Sequence, residues 1–190
     1  DSHGCLGLPT LLSIFCIQHL GVQRVVSNIH PLASVHPQAE IGSSVTIGPF
    51  CVVEKNVVLG DGCQLGSHVV IKRGTNLGAN NHVGDAAILG GLPQHVQAGE
   101  SNGYLVLGRE NTVREFATIH RALNSSHQTT IGNNCLIMVG AHVAHDCHVG
   151  NHAILVNNVM LAGHVVVEDR AYLGGGTAVH QFCRVGKLSM

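Results

Sequence analysis

The chain has 190 residues, with 10 basic against 11 acidic side chains and a formal net charge of −1. That balance excludes a nucleic-acid binder working through a broad basic surface, and 11% charged residues excludes the highly charged, disordered class. Hydrophobic residues make up 45%, yet aromatics only 3% and tryptophan is absent, so small and branched aliphatic side chains must fill the core. Glycine (24) and histidine (15) are both in excess and need a structural reason.

From the N-terminus, residues 1–28 carry no repeat and read as a capping segment, a short helix or a disordered tail. Their apolar stretch, residues 6–20, is shorter than a transmembrane helix and lacks the basic flank of a signal peptide, so no integral membrane segment is expected. The missing initiator Met and the abrupt stop at Met190 read as a fragment, truncated at the C-terminus. Seven cysteines, an odd number with no CxxC pair, argue against a disulfide framework or a zinc ribbon. They read as small core residues of a protein in a reducing, cytoplasmic compartment.

From Ile29 an aliphatic residue recurs at every sixth position to Val83, and again from Ile131 to Val185, twenty positions without a miss. The position four residues further on is small or β-branched, and five of the seven cysteines (Cys51, Cys63, Cys135, Cys147, Cys183) fall there, as buried apolar fillers. A period of six fits neither an amphipathic helix nor a coiled coil. It predicts an all-β solenoid, a parallel β-helix of short strands in triangular 18-residue coils spanning residues 29–190, with glycine and asparagine easing the corners. The phase fails twice, which predicts extruded loops at 90–106 and 121–130, where a rigid solenoid would grip its ligands.

Three histidines fall on or next to one corner of successive coils: His145, His164 and His180, with His142 just before the first. Asp146 follows His145 directly, and Gly163 precedes His164. A neutral imidazole suits a general base, an adjacent carboxylate can fix its tautomer, and a glycine lets a carbonyl approach a backbone N–H that steadies an oxyanion. No Ser or Cys stands at the corner to act as nucleophile, so direct transfer without a covalent intermediate fits better. Zinc held by the three imidazoles is the other chemistry open at this point. His36, His68, His82, His148 and His152 read as turn or surface residues.

Residues 141–186 (AHVAHDCHVGNHAILVNNVMLAGHVVVEDRAYLGGGTAVHQFCRVG), with IGPFCVV (47–53), SHVVI (67–71) and ATIHRA (117–122), resemble the bacterial UDP-N-acetylglucosamine O-acyltransferase family. The AHxAHDC, LAGH and HQFC motifs carry the specificity; the hexad period alone is shared by many acyltransferases. The resemblance implies a left-handed parallel β-helix, a homotrimer with sites between subunits, and no metal or cofactor. It also implies transfer of a 3-hydroxyacyl chain from acyl carrier protein to the glucosamine 3-hydroxyl of UDP-N-acetylglucosamine, in lipid A biosynthesis. On the matching motifs His145 is the base, Asp146 orients it and the Gly163 N–H receives the oxyanion. His142, His164, His180, Gln181, His120 and Gln94 are the implied substrate contacts. The first loop departs from the family: Pro93 to Glu100 is one residue short, with His95 and Gln97 where the family has Asp and Lys. Arg121-Ala122-Leu123-Asn124 likewise replaces Arg-Gly-Thr. Three rivals stay open: a related N-acyltransferase, a zinc hydratase of carbonic-anhydrase type on the same fold with ligands from the histidine ladder, and, given the altered first loop, a non-catalytic relative that binds or scaffolds.

Overall fold

A computed structural model describes residues 27–96, 98 and 103–190. The expectation for residues 1–28 therefore falls almost wholly outside the described residues. Among the described residues, twenty-four short strands, most of two residues, form three parallel eight-stranded sheets. In each sheet every third strand of the chain pairs with the next, so the chain winds through eight triangular coils as a left-handed parallel β-helix. No helix among the described residues is long and apolar enough to cross a membrane.

The hexad explains this local geometry. In the strand Thr46–Ile47, Val45 and Ile47 point inward and are fully buried, while Thr46 between them is exposed. Two inward residues per side, repeated on three sides, fill a narrow prism with Ile, Leu, Val, Ala and Cys. Four cysteines sit there as free thiols (Cys51, Cys63, Cys135 and Cys147), each donating to a carbonyl of the next coil at 2.9–3.1 Å. Cys183 departs from the expectation: it is exposed, because the last coil of this chain has no coil stacked beneath it to close the interior.

At the corners, glycine (Gly62, Gly74, Gly90, Gly140, Gly176) and asparagine (Asn56, Asn80, Asn134, Asn158) adopt positive φ as expected, but twelve other described residues, among them Phe50, Ala86 and Arg170, do so too, so the winding imposes the left-handed backbone on whatever residue stands there. The glycines that follow the aliphatic position serve close stacking instead. A Cβ on Gly48 would stand 2.4 Å from the Gly66 carbonyl oxygen of the next coil.

Both extruded loops leave from the same corner, between the second and third sheets. Strand Ile88–Gly91 ends the second sheet's share of one coil, and the chain re-enters at Tyr104–Leu107. One coil later it leaves after Thr118–His120 and returns at Gln128–Ile131. The strands thus reach further into both breaks than the phase of the hexad indicates, because longer strands brace the loop bases. The corner that carries the loops is also the corner that carries His145, one coil on.

Candidate active site

His145 stands two residues after the strand His142–Val143, at the turn, with an ordinary strand on one side and the next face of the prism on the other. It is 4% exposed, and Asp146 5%. Asp146 holds the left-handed turn position (φ 58°), which swings its carboxylate back along the ring of its neighbour. His145 Nδ1 lies 2.8 Å from Asp146 Oδ2. A carboxylate only accepts, so Nδ1 carries the proton and the neutral ring keeps its lone pair on Nε2.

The second loop supplies the remaining partners of that carboxylate. The Leu123 N–H donates to Asp146 Oδ2 at 3.0 Å, and His127 Nδ1 donates to Oδ1 at 3.2 Å. The Asp146 N–H is bound to the buried Thr129 hydroxyl at 2.8 Å. Burial alone would raise the carboxyl's pKa. The Leu123 N–H, His145 and the positive character of His164 outweigh it and hold the group below the usual range.

Gly163 lies one coil beyond His145 at the equivalent turn position. A Cβ there would come within 2.8 Å of His145 Nε2 and 2.7 Å of Cε1, so only glycine leaves the imidazole its place. At the same position of other coils the backbone N–H is capped by a side chain from the next coil. Ser43 is capped by Asp61, Ser67 by Asp85, Asn133 by Asn151 and Asn151 by Asp169. Gln181 holds that place beneath Gly163, and the Gly163 N–H donates to no described residue. The coil therefore presents an uncommitted donor beside the free nitrogen of a buried imidazole.

The other histidines pack around this pair. His164 meets His145 edge-on with centroids 5.2 Å apart, and stacks on Phe182 at 4.7 Å. His142 contacts the ring of His120 at 5.1 Å, and its Nδ1 is 2.8 Å from the Thr118 hydroxyl. His120 Nδ1 donates to the Leu92 carbonyl. Burial pushes the pKa of both His120 and His142 down, and each is lowered further by a neighbouring imidazole, so both are neutral near pH 7. His142, His145, Gly163, His180, Gln181 and Gln94 all line one groove of ≈ 510 Å³, whose floor is Met160, Leu161, Ala162, Ala178 and Val179. His180, Gln181 and Gln94 are exposed on its rim. The residues singled out from sequence are thus brought to one corner, while His36, His68, His82, His148 and His152 are exposed elsewhere.

Three participants were not legible in the sequence. His127 and Leu123 reach Asp146 from a loop whose length carries no period. His95, a departure from the family pattern in the first loop, lies edge-on to His145 with centroids 5.6 Å apart. His145, Asp146 and His164 also offer ligand atoms within 4.8 Å of one another, a spacing that admits a metal ion.

A family model for the bacterial transferase hexapeptide (six repeats) matches residues 38–73 and 128–163. The acyl-[acyl-carrier-protein]--UDP-N-acetylglucosamine O-acyltransferase of Janthinobacterium sp. (strain Marseille) is 49% identical over 168 residues, 87% of this chain and 63% of that protein. The enzyme of the same name from Xylella fastidiosa is 47% identical over 88% of this chain and 64% of its own length. Among solved structures, the Francisella novicida UDP-N-acetylglucosamine acyltransferase superposes with a TM-score of 0.82 at 44% identity, covering 84% of this chain and 59% of that one. The Moraxella catarrhalis enzyme gives 0.79 at 41%, over 83% and 62%. The chain spans less than two thirds of the length of these relatives. Over most of its length, then, the chain is a relative of the UDP-N-acetylglucosamine O-acyltransferases, built on bacterial transferase hexapeptide repeats.

Proposed function

We propose that this chain catalyses transfer of a 3-hydroxyacyl group from acyl carrier protein to the 3-hydroxyl of the glucosamine ring of UDP-N-acetylglucosamine, the step that feeds lipid A biosynthesis. The observation that carries the reading is the His145–Asp146 pair at 2.8 Å beside the uncommitted Gly163 N–H. His145 Nε2 takes the proton of the sugar hydroxyl as its oxygen attacks the thioester carbonyl. The charge that develops on that carbonyl oxygen is met by the Gly163 N–H. Collapse breaks the C–S bond, and the departing thiolate recovers the proton from the imidazolium, which Asp146 has stabilised meanwhile. No acyl-enzyme forms, in keeping with Cys147 being buried in the prism with its thiol pKa pushed up to about 11 by desolvation.

The apolar floor of the groove suits the acyl chain, and the exposed His180, Gln181 and Gln94 suit the polar sugar nucleotide. His142 completes the lining as a neutral donor and acceptor, with the neutral His120 packed against it and His164 against His145. The working unit is read as a homotrimer. Val52, Ile88 and Met160 point outward and exposed from the sheet that leads into this corner, which favours closure of the groove by a second subunit. Free buried thiols suit a reducing compartment, and a cytoplasmic location supplies one.

The reading requires neither a metal nor a cofactor. A zinc hydratase rests on the His145, Asp146 and His164 cluster. Against it, both Asp146 oxygens are already engaged, by Leu123, His145 and His127. Metal content of the purified protein separates the two: near-stoichiometric zinc supports the hydratase. The decisive experiment for the acyltransferase is His145→Ala, assayed with UDP-N-acetylglucosamine and 3-hydroxyacyl carrier protein. Turnover is expected to vanish with the fold retained, and retained turnover overturns the assignment of the base.

A further inference from the structure

The corner that carries His145 has a second population of side chains nearer the N-terminus. Ladder register places Ile71, Leu89, Ile119 and Val143 side by side, so Arg73, Arg121 and His145, each two residues on, stand at one corner; the register shifts at Gly91, which pairs with His120. Lys55 precedes Arg73 at that corner. Lys55, Arg73 and Arg121, with Asn56 and Tyr104, line a cavity of ≈ 440 Å³. Four of the ten basic residues of the chain, counting Lys72, gather at this corner.

Their charges are not balanced. Glu54 is the carboxylate at hand, and it is spent: Oε1 accepts from Lys72 Nζ at 2.9 Å and Oε2 from the Arg73 N–H at 3.0 Å. The guanidinium of Arg73 and the ammonium of Lys55 meet no acceptor among the described residues. Arg121 is the telling member. It is 3% exposed, and its side chain climbs two coils to donate from Nη1 to the Arg73 carbonyl at 2.9 Å. Its Nε is buried with no partner among the described residues. A buried cation with an idle donor is costly unless something charged completes it. Burial, together with the nearby Arg73, pulls the Arg121 pKa down against a smaller opposing effect of Glu54.

We propose that this cavity binds a phosphate-class anion, a phosphate monoester or diphosphate group, with Arg121 and Arg73 beneath it and Lys55 at its rim. Guanidinium forks and an ammonium converging from different sides suit the several oxygens of a tetrahedral phosphate better than a flat carboxylate. The site lies apart from the base: Arg73 is three coils from His145, about 14 Å at the ~4.8 Å spacing of paired strands.

Calorimetric titration of the 190-residue chain with inorganic pyrophosphate at low ionic strength tests this. Saturable one-to-one binding is expected, weakened about tenfold or more by Arg73→Gln and by Lys55→Gln, and unchanged by Arg109→Gln on another corner. His145→Ala leaves it unchanged as well, so the result is independent of the acyltransferase reading. Uridine diphosphate and malonate complete the set. Uridine diphosphate equal to pyrophosphate assigns any phosphoester. Uridine diphosphate tighter by tenfold, with the gain lost in Arg73→Gln, assigns a nucleotide. Malonate tighter than pyrophosphate, binding indifferent to both substitutions, or no saturable binding in the millimolar range overturns the proposal. The Arg73 and Lys55 variants carry the test because Arg121 is itself part of the packed corner.

Discussion

Replacing Asp146 with asparagine separates the charge of that side chain from its shape. The carboxylate accepts from Leu123 and His145 through Oδ2 and from His127 through Oδ1. An asparagine can keep its oxygen at the Oδ2 position, satisfying the Leu123 N–H and the Nδ1–H of His145, and turn its amide toward the more exposed His127. The tautomer of His145 then survives and only the negative charge is lost. Opposite charges about 4 Å apart interact by about 4 kcal/mol at an effective dielectric of about 20. A charge-assisted hydrogen bond exceeds a neutral one by about 1–2 kcal/mol. The imidazolium of the transition state should therefore lose about 2–4 kcal/mol, or roughly 30- to 1,000-fold in rate at about 1.4 kcal/mol per decade. Initial rates of acyl transfer to UDP-N-acetylglucosamine should show this in kcat, with KM little changed because Asp146 lies behind the imidazole and out of the groove. A kcat within threefold of wild type refutes the idea that Asp146 supports a developing charge on His145.

Gly163→Ala places a methyl within 2.8 Å of His145 Nε2, so kcat should fall by about two decades or more while thermal unfolding stays cooperative; an active alanine variant removes Gly163 from the site. Stability should fall with acidification in two stages. His120 and His142 have folded pKa values below the unfolded value of about 6.5, so their contribution is present above that pH and is lost as pH falls through the folded values; Asp146 behaves likewise below about pH 4. Urea midpoints measured across pH should show the upper stage vanish in a His120→Gln, His142→Gln double variant, and its persistence would contradict the assignment. In a background lacking Cys5 and Cys16, a thiol reagent at pH 8 should modify Cys183 promptly and spare Cys51, Cys63, Cys135 and Cys147, whose pKa values burial raises. Leu155→Ala, at a fully buried position, should cost about 2–5 kcal/mol in denaturant unfolding; a loss under 1 kcal/mol would mean the coils do not close on a packed interior.

The coil was legible because a solenoid repeats one local problem. Each side of the triangle needs the same two inward residues, so Val45 and Ile47 announce the same geometry as Ala153 and Leu155. The histidine corner was legible for the same reason, since a fixed number of residues per coil converts spacing into adjacency. What escaped the period came from the parts that break it. His127, Leu123 and His95 reach the base from loops, where sequence distance says nothing about spatial distance. The cationic cavity stayed hidden because a near-neutral total charge masks a local excess, and because the reach of Arg121 across two coils leaves no mark in the hexad. The corners were legible in part, since glycine and asparagine do hold several of the left-handed turns, but they do not hold them alone. The turn conformation is set by winding, so Phe50 and Ala86 adopt it, and glycine is needed where coils or a ring come too close for a Cβ.

The account turns on His145 offering an unprotonated Nε2 to the groove while Nδ1 is held by Asp146. Long-range proton–nitrogen correlation spectra of protein labelled with 15N-histidine report this directly, with His145→Gln assigning the ring and the pH set where the imidazole is neutral. A protonated, pyrrole-like Nδ1 and a pyridine-like Nε2 are predicted. The opposite tautomer would leave His145 unable to take a proton from a hydroxyl in that groove, and would contradict the mechanism at its first step.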